Sequence, residues 1–184
     1  MSIRKLKYHE KKLLKKVDFL WTSDDNVREG TILRRYHITN RNDYVKYNRL
    51  AGKIHSYILK LKLLSKDDLF RIKMTKNLLL KVYNMGLIHK QKSLSSCDKI
   101  NASSFCRRRL PIVMVRLKMA ENVSEAVQFI EEGHIRIGPN TITDTAFIVT
   151  RTLEDFITWA PTSKIKRTIA KYNDQLDDYV LLGN

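Results

Sequence analysis

With 184 residues, 43% of them apolar, the chain is long enough for one ordinary domain with an appendage and can bury a real core. Its 35 Lys and Arg against 19 Asp and Glu leave a net charge of +16, for which a polyanion is the natural counterpart and a merely solvated cationic face the alternative. No apolar run approaches the roughly 20 residues that span a bilayer, the opening IRKLKYHEKK is not a signal-peptide pattern, and Cys97 and Cys106 lack CxxC spacing or clustered histidines, so a soluble, non-secreted protein with two free thiols and no metal site is expected.

The stretch RKLKYHEKKLLKKVDFLW sets Leu6, Leu13, Leu14, Val17 and Leu20 on a helical stripe. Lys5, Lys7, Lys11, Lys12, Lys15 and Lys16 fill most other positions, which predicts a basic amphipathic helix. Such a helix can lie on a membrane, dock in a protein groove or track a phosphate backbone, and the narrow apolar face with no lipidation motif weighs against the membrane. SDDNVREG reads as a loop. From Asn42 to about Leu64 the residues Tyr44, Tyr47, Leu50, Ile54, Ile58, Leu61 and Leu64 recur every three or four, predicting a long helix. A second helix from about Asp67 to Met85, opened by Asp67 and Asp68 and stopped by Gly86, makes a helical hairpin with it. Its tyrosines sit at core spacing, which favours packing over stacking on bases. Residues 88–104, rich in Ser, Lys, Asn and Asp, read as a linker.

From Phe105 the pattern is helix, helix, small sheet. On a helical wheel Leu110, Val113, Met114 and Leu117 share the core face, while Arg108, Arg109 and Arg116 share an outward flank and Arg107 lies elsewhere. Ile112 and Val115 also point outward, so other helices are expected to cover part of this one. Pro111 forces a kink or a helix start nearby. A second helix has Asn122 as N-cap with Glu125 completing a capping box, Val123, Ala126, Val127 and Ile130 as its buried stripe, and Gly133 as its stop. HIRIG alternates as a half-buried strand, a turn at Gly138, Pro139 and Asn140 leads into Thr141 to Thr143, and AFIVT supplies further strand.

The charge divides unevenly along the chain. Residues 1–118 hold 29 basic and 9 acidic side chains, a net of +20, whereas residues 119–184 hold 6 and 10, a net of −4. His134 has no nucleophile and carboxylate set around it, so a strand-edge hydrogen bond or a phosphate contact is its expected role. Glu131 and Glu132 are adjacent on a helix and diverge, which does not assemble an acid/base pair. No GxGxxG or P-loop is present, and neither a cofactor nor catalysis is expected.

CRRRLPIVMVRLKMAENVSEAVQFIEEGHIRIGPN resembles the alpha-L RNA-binding motif of the fourth small-subunit ribosomal protein. Together with RKLKYHEKKLLKKVDF, RYHITNRNDYVKYN, VYNMGLI and TWAPTSKIKRTIAKYNDQLDDY, it is identified as a member of the IMP-three family of eukaryotic nucleolar proteins. The resemblance implies an α+β chain: a basic helical region over 1–104, an RNA-binding module of two helices on a small sheet over 105–160, and a carboxy-terminal helix with an acidic tail over 161–184. It implies an RNA-binding assembly factor of the small-subunit processome in the nucleolus, helping the box C/D guide small nucleolar RNA pair with precursor ribosomal RNA. The implied partners are the M-phase phosphoprotein ten scaffold and its Brix-domain partner, with other processome proteins. By position, Arg107, Arg108, Arg109, Arg116 and Lys118 would meet phosphates along the first helix, with His134 and Arg136 framing a second contact, and a joint change of Arg108, Arg109 and Arg116 to Glu is expected to abolish RNA binding without unfolding. Two departures stand out: Lys118 replaces a common Gly, and the second helix carries Glu125, Val127, Glu131 and Glu132 where basic residues are usual. A structural ribosomal protein and an RNA-modifying enzyme are the rival classes.

Overall fold

A computed structural model describes residues 5–16, 26–91 and 93–174, with the backbone alone for Leu14, Lys16 and Asn26. The chain divides into two compact units, residues 1–31 and 32–184. In the first, α1 spans Tyr8–Lys16, and the Glu10 carboxylate accepts the Lys7 amide at 2.8 Å, placing an acid at the positive helix end. The remainder of the predicted first helix, including Val17 and Leu20, lies outside the described residues. Helix α2 spans Asn26–Arg35, so Asn26 to Gly30 are helical and not the loop their polarity suggested. Glu29 in its first turn and Arg34 and Arg35 in its last complement the helix dipole, and Val27 is exposed, so this end of the helix carries almost no apolar stripe to find.

In the second unit the long helix α3 runs Arg41–Leu63 and α4 runs Leu69–Asn84. Each opens on a side-chain cap: Asn40 accepts the Asn42 amide at 3.1 Å and Asp68 accepts the Phe70 amide at 2.9 Å. Gly86, at φ +75°, closes α4 with the paired bonds Gly86 N–H to Tyr83 O and Leu87 N–H to Val82 O. The buried stripe of α3 is Tyr47, Ala51, Ile58 and Leu61, while Leu50 stays exposed. Tyr47 stacks parallel on Phe105 at 5.9 Å and donates to the Ala146 carbonyl, a packing role and not a base platform.

The predicted linker is instead part of the first core. Residues 94–99 form a 3₁₀ turn and α5 spans Ala102–Cys106, with Ile88, Cys97, Ile100, Ala102 and Phe105 buried against α3 and α4. The Asn101 and Ser104 side chains cap α5 reciprocally. Each fully buried Ile or Phe contributes about 1.5–3 kcal/mol, more than a polar stretch suggests at sight.

The second core holds α6 (Leu110–Arg116), α7 (Val123–Glu131) and a three-stranded antiparallel sheet ordered β2-β1-β3. Strand β1 is Ile135–Ile137, β2 is Asn140–Thr141 and β3 is Ile157–Trp159. Leu110, Val113 and Met114 are fully buried, but Leu117 caps α6 and is 41% exposed. Ile112 packs on the first core and Val115 on the second. Asn122 is the N-cap of α7, yet the Glu125 carboxylate accepts the Glu121 amide at 3.0 Å, so the predicted capping box does not form. AFIVT is not a strand: Ile148 alone pairs, with Arg109, and the third strand lies later, at Ile157–Trp159. Short α8 (Arg151–Glu154) precedes β3, and α9 (Lys164–Tyr172) follows it, capped by Ser163. The expected acidic tail beyond Asp174 lies outside the described residues. The expected boundary at 104/105 falls inside the second unit, near the seam between its cores.

Candidate nucleic-acid interface

Pro111 is the second residue of α6, and Arg109 is its N-cap in extended conformation, so residues 107–109 are not helical and the wheel does not apply to them. Arg108 and Arg109 are 5% and 2% exposed, opposite to the solvent-facing flank predicted for them. Arg108 donates from Nε to the Val149 carbonyl at 2.9 Å and from Nη1 to Glu154 at 3.0 Å. Arg109 donates from Nε to the Thr145 carbonyl at 3.3 Å. These bonds hold both guanidiniums inside the seam, while Arg108 Nη2 and Arg109 Nη1 are buried with no hydrogen-bond partner among the described residues. Arg107, expected to lie elsewhere, is the exposed member of the three and donates to Ser104 Oγ at 3.2 Å.

Arg116 is exposed and donates to the second oxygen of Glu154, so one carboxylate joins Arg108 and Arg116. Two residues on, Lys118 is exposed at φ +59°. Its amide bonds Val115 O and the Met119 amide bonds Met114 O, the paired closure that ordinarily takes Gly. A lysine here costs about 1–2 kcal/mol in backbone conformation and projects a cation from the helix end.

Arg136 is central in the sheet, in register with Thr141 on β2 and Thr158 on β3, so the three share the outward face while Ile135 and Ile137 fill the core. It donates from Nε to Thr158 Oγ1 at 3.0 Å. The His134 ring lies 3.0 Å from Glu132, its carbonyl accepts the Ala160 amide at 2.8 Å, and it is only 21% exposed. Lys5, Lys7, Lys11, Lys12 and Lys15 are exposed on and before α1, and the Lys16 side chain is outside the described residues.

Sequence reasoning missed Glu154 and Arg151. Arg151 donates to the carbonyls of Tyr83 and Ile88 at 2.9 and 2.8 Å and stacks over the Tyr83 ring at 4.2 Å, fastening the end of α4 to the start of α8. No motif marks either residue, since both act through partners distant in sequence. Cys97 and Cys106 are free and buried, and burial pushes the Cys106 thiol up to about 11. Among the described residues no cluster of three His, Cys, Asp or Glu could hold a metal ion.

The family model of the ribosomal protein S4/S9 N-terminal domain matches residues 5–107, and that of the S4 domain matches residues 108–155. The U3 small nucleolar ribonucleoprotein protein IMP3 of Saccharomyces cerevisiae is 51% identical over 96% of this chain and 98% of its own. The chain belongs to the IMP3 family. The Homo sapiens IMP3 protein is 49% identical over 97% of this chain and 98% of its own. Small ribosomal subunit protein uS4 of Hyperthermus butylicus is 29% identical over 78% and 80%. In this member of the IMP3 family the two matched regions meet between Arg107 and Arg108, where one arginine faces solvent and the next two hold the seam.

Proposed function

We propose that this chain is an RNA-binding, non-catalytic assembly factor of the nucleolar small-subunit processome. It stabilises pairing of the box C/D guide small nucleolar RNA with precursor ribosomal RNA during 18S maturation, docked on the M-phase phosphoprotein ten scaffold and its Brix-domain partner. Two relatives are named as U3 small nucleolar ribonucleoprotein proteins, which supports this placement. The observation that carries the RNA-binding reading is the arrangement of exposed cations on an internally braced frame. Arg107, Arg116 and Lys118 cluster in sequence around α6, and Arg108 and Arg109 are committed to holding that region rigid.

Two RNA strands repel each other through their phosphates, and a fixed cationic surface lowers that repulsion by displacing counterions from both. Arginine forks suit phosphate oxygens, and structured RNA is read by shape and backbone more than by base edges. An annealing assay with guide and precursor transcripts tests this. The full-length protein is expected to speed annealing at least about tenfold, and Arg107→Ala with Arg116→Ala and Lys118→Ala to remove most of that gain. Annealing untouched by the protein contradicts the reading. The similarity to uS4 favours one rival, a structural ribosomal protein, which would sediment with mature small subunits and not only with large precursors.

A further inference from the structure

Outside the S4-domain match, a cavity of about 570 Å³ opens where the chain passes from α4 to α5. Its floor is apolar: Leu87, Ile88 and Ile100, the last two only 4% and 2% exposed. Its rim is cationic, with Lys90, Lys99 and Arg107 beside His89, and Ser95 and Ser96 add hydroxyls. Among the described residues no acidic side chain lines it. Asp98, the acid nearest in sequence, is paired with Lys62 at 2.8 Å. The volume falls within the roughly 300–1,000 Å³ of small-ligand sites.

The walls are fixed from outside. Arg151 holds the Ile88 carbonyl, and His55 Nε2 donates to the Ile100 carbonyl at 2.7 Å. Ser104, itself 5% exposed, accepts from Arg107 and sets the guanidinium at the rim. A diffuse basic surface would need neither the floor nor the hydroxyls. A phosphate carrying an apolar, hydrogen-bonding ring would use all three features.

We propose that this cleft grips one unpaired nucleotide of an RNA strand, with its phosphate among Lys90, Lys99 and Arg107 and its base on the floor of Leu87, Ile88 and Ile100. The assignment rests on the RNA-binding reading above and adds a strand preference to it. A paired, stacked base cannot reach the floor, whereas a splayed base can. The protein therefore holds an unpaired strand beside a forming duplex.

The test titrates full-length protein with two RNAs of equal phosphate number, a blunt duplex and a duplex with a single-stranded tail. Lys90 and Lys99 are exposed, so Lys90→Ala with Lys99→Ala preserves the fold. This variant is expected to lose about tenfold affinity for the tailed RNA, lower its salt slope by about 1.4, and lose under about twofold for the blunt duplex. In the wild type, 4-thiouridine in the tail is expected to crosslink to a peptide within 87–107, a readout independent of any variant. Equal losses on both RNAs, crosslinks confined elsewhere, or displacement of the tail by equimolar adenosine monophosphate would each overturn the cleft. Wild-type indifference to both RNAs would sink the broader RNA-binding reading as well, whereas intact duplex binding without a tail effect sinks the cleft alone.

Discussion

Gly86 shows how one residue governs the seam. Its φ of +75° already favours glycine, and a Cβ there would lie 2.6 Å from Arg108 Nε, a group pinned by Val149 and Glu154. Gly86→Ala is therefore expected to cost more than about 2 kcal/mol, combining backbone strain with a displaced buried cation. Gly133, at φ +73°, meets nothing nearer than the Thr143 methyl at 3.9 Å. Gly133→Ala should cost only about 1 kcal/mol, the conformational part alone. Urea melts of both variants separate the two contributions, and equal losses would show that Arg108 moves freely. Lys118 offers the reverse case. Lys118→Gly relieves its left-handed strain, so melts should show a gain of about 1 kcal/mol while RNA affinity falls.

At the scale of elements, the legible parts were those with periodic apolar residues and clear caps. Tyr47, Ile58 and Leu61 mark α3, Asp68 and Gly86 mark α4, and Ala126, Val127 and Ile130 mark α7. Residues 88–104 look like a linker because composition reports the outer face, while Ile88, Cys97, Ile100 and Ala102 face inward. A wheel turns Arg108 and Arg109 outward because it assumes a continuous helix, whereas α6 with Pro111 in its first turn starts only at Leu110. The joint change of Arg108, Arg109 and Arg116 to Glu is accordingly expected to unfold the chain, contrary to the sequence expectation. Burying two carboxylates against backbone carbonyls leaves uncompensated charge worth several kcal/mol, and circular dichroism reads the loss.

The packing of α3 on α5 also sets an alkaline limit. Burial favours the neutral forms of Cys106 and Tyr47, raising them to about 11 and about 12 from 9.0 and 10.0. The unfolded chain releases these protons first. Stability is thus full below about pH 9 and falls as pH rises through about 11 to 12, with Cys106 contributing about 2–3 kcal/mol. Urea melts at pH 8 and pH 11 check this, and Cys106→Ala should flatten the lower part of the decline.

At the scale of the molecule, the second unit is two cores joined by arginines. Arg108, Arg109 and Arg151 cross the seam with side-chain bonds to backbone carbonyls, whereas Arg107, Arg116, Lys118 and Arg136 stand outside that bracing and are the cations that the proposed function assigns to RNA. Total charge was legible in the sequence, but its division between bracing and display was not, because that depends on partners 36 to 68 residues away. The most direct measurement of this division is the dependence of RNA affinity on salt. For the full-length protein, log affinity should fall steeply with log salt, and Arg116→Ala with Lys118→Ala and Arg136→Ala should make that slope shallower by about 2–3 while the fold persists. A wild-type affinity indifferent to salt, or a triple variant with an unchanged slope, would contradict the account.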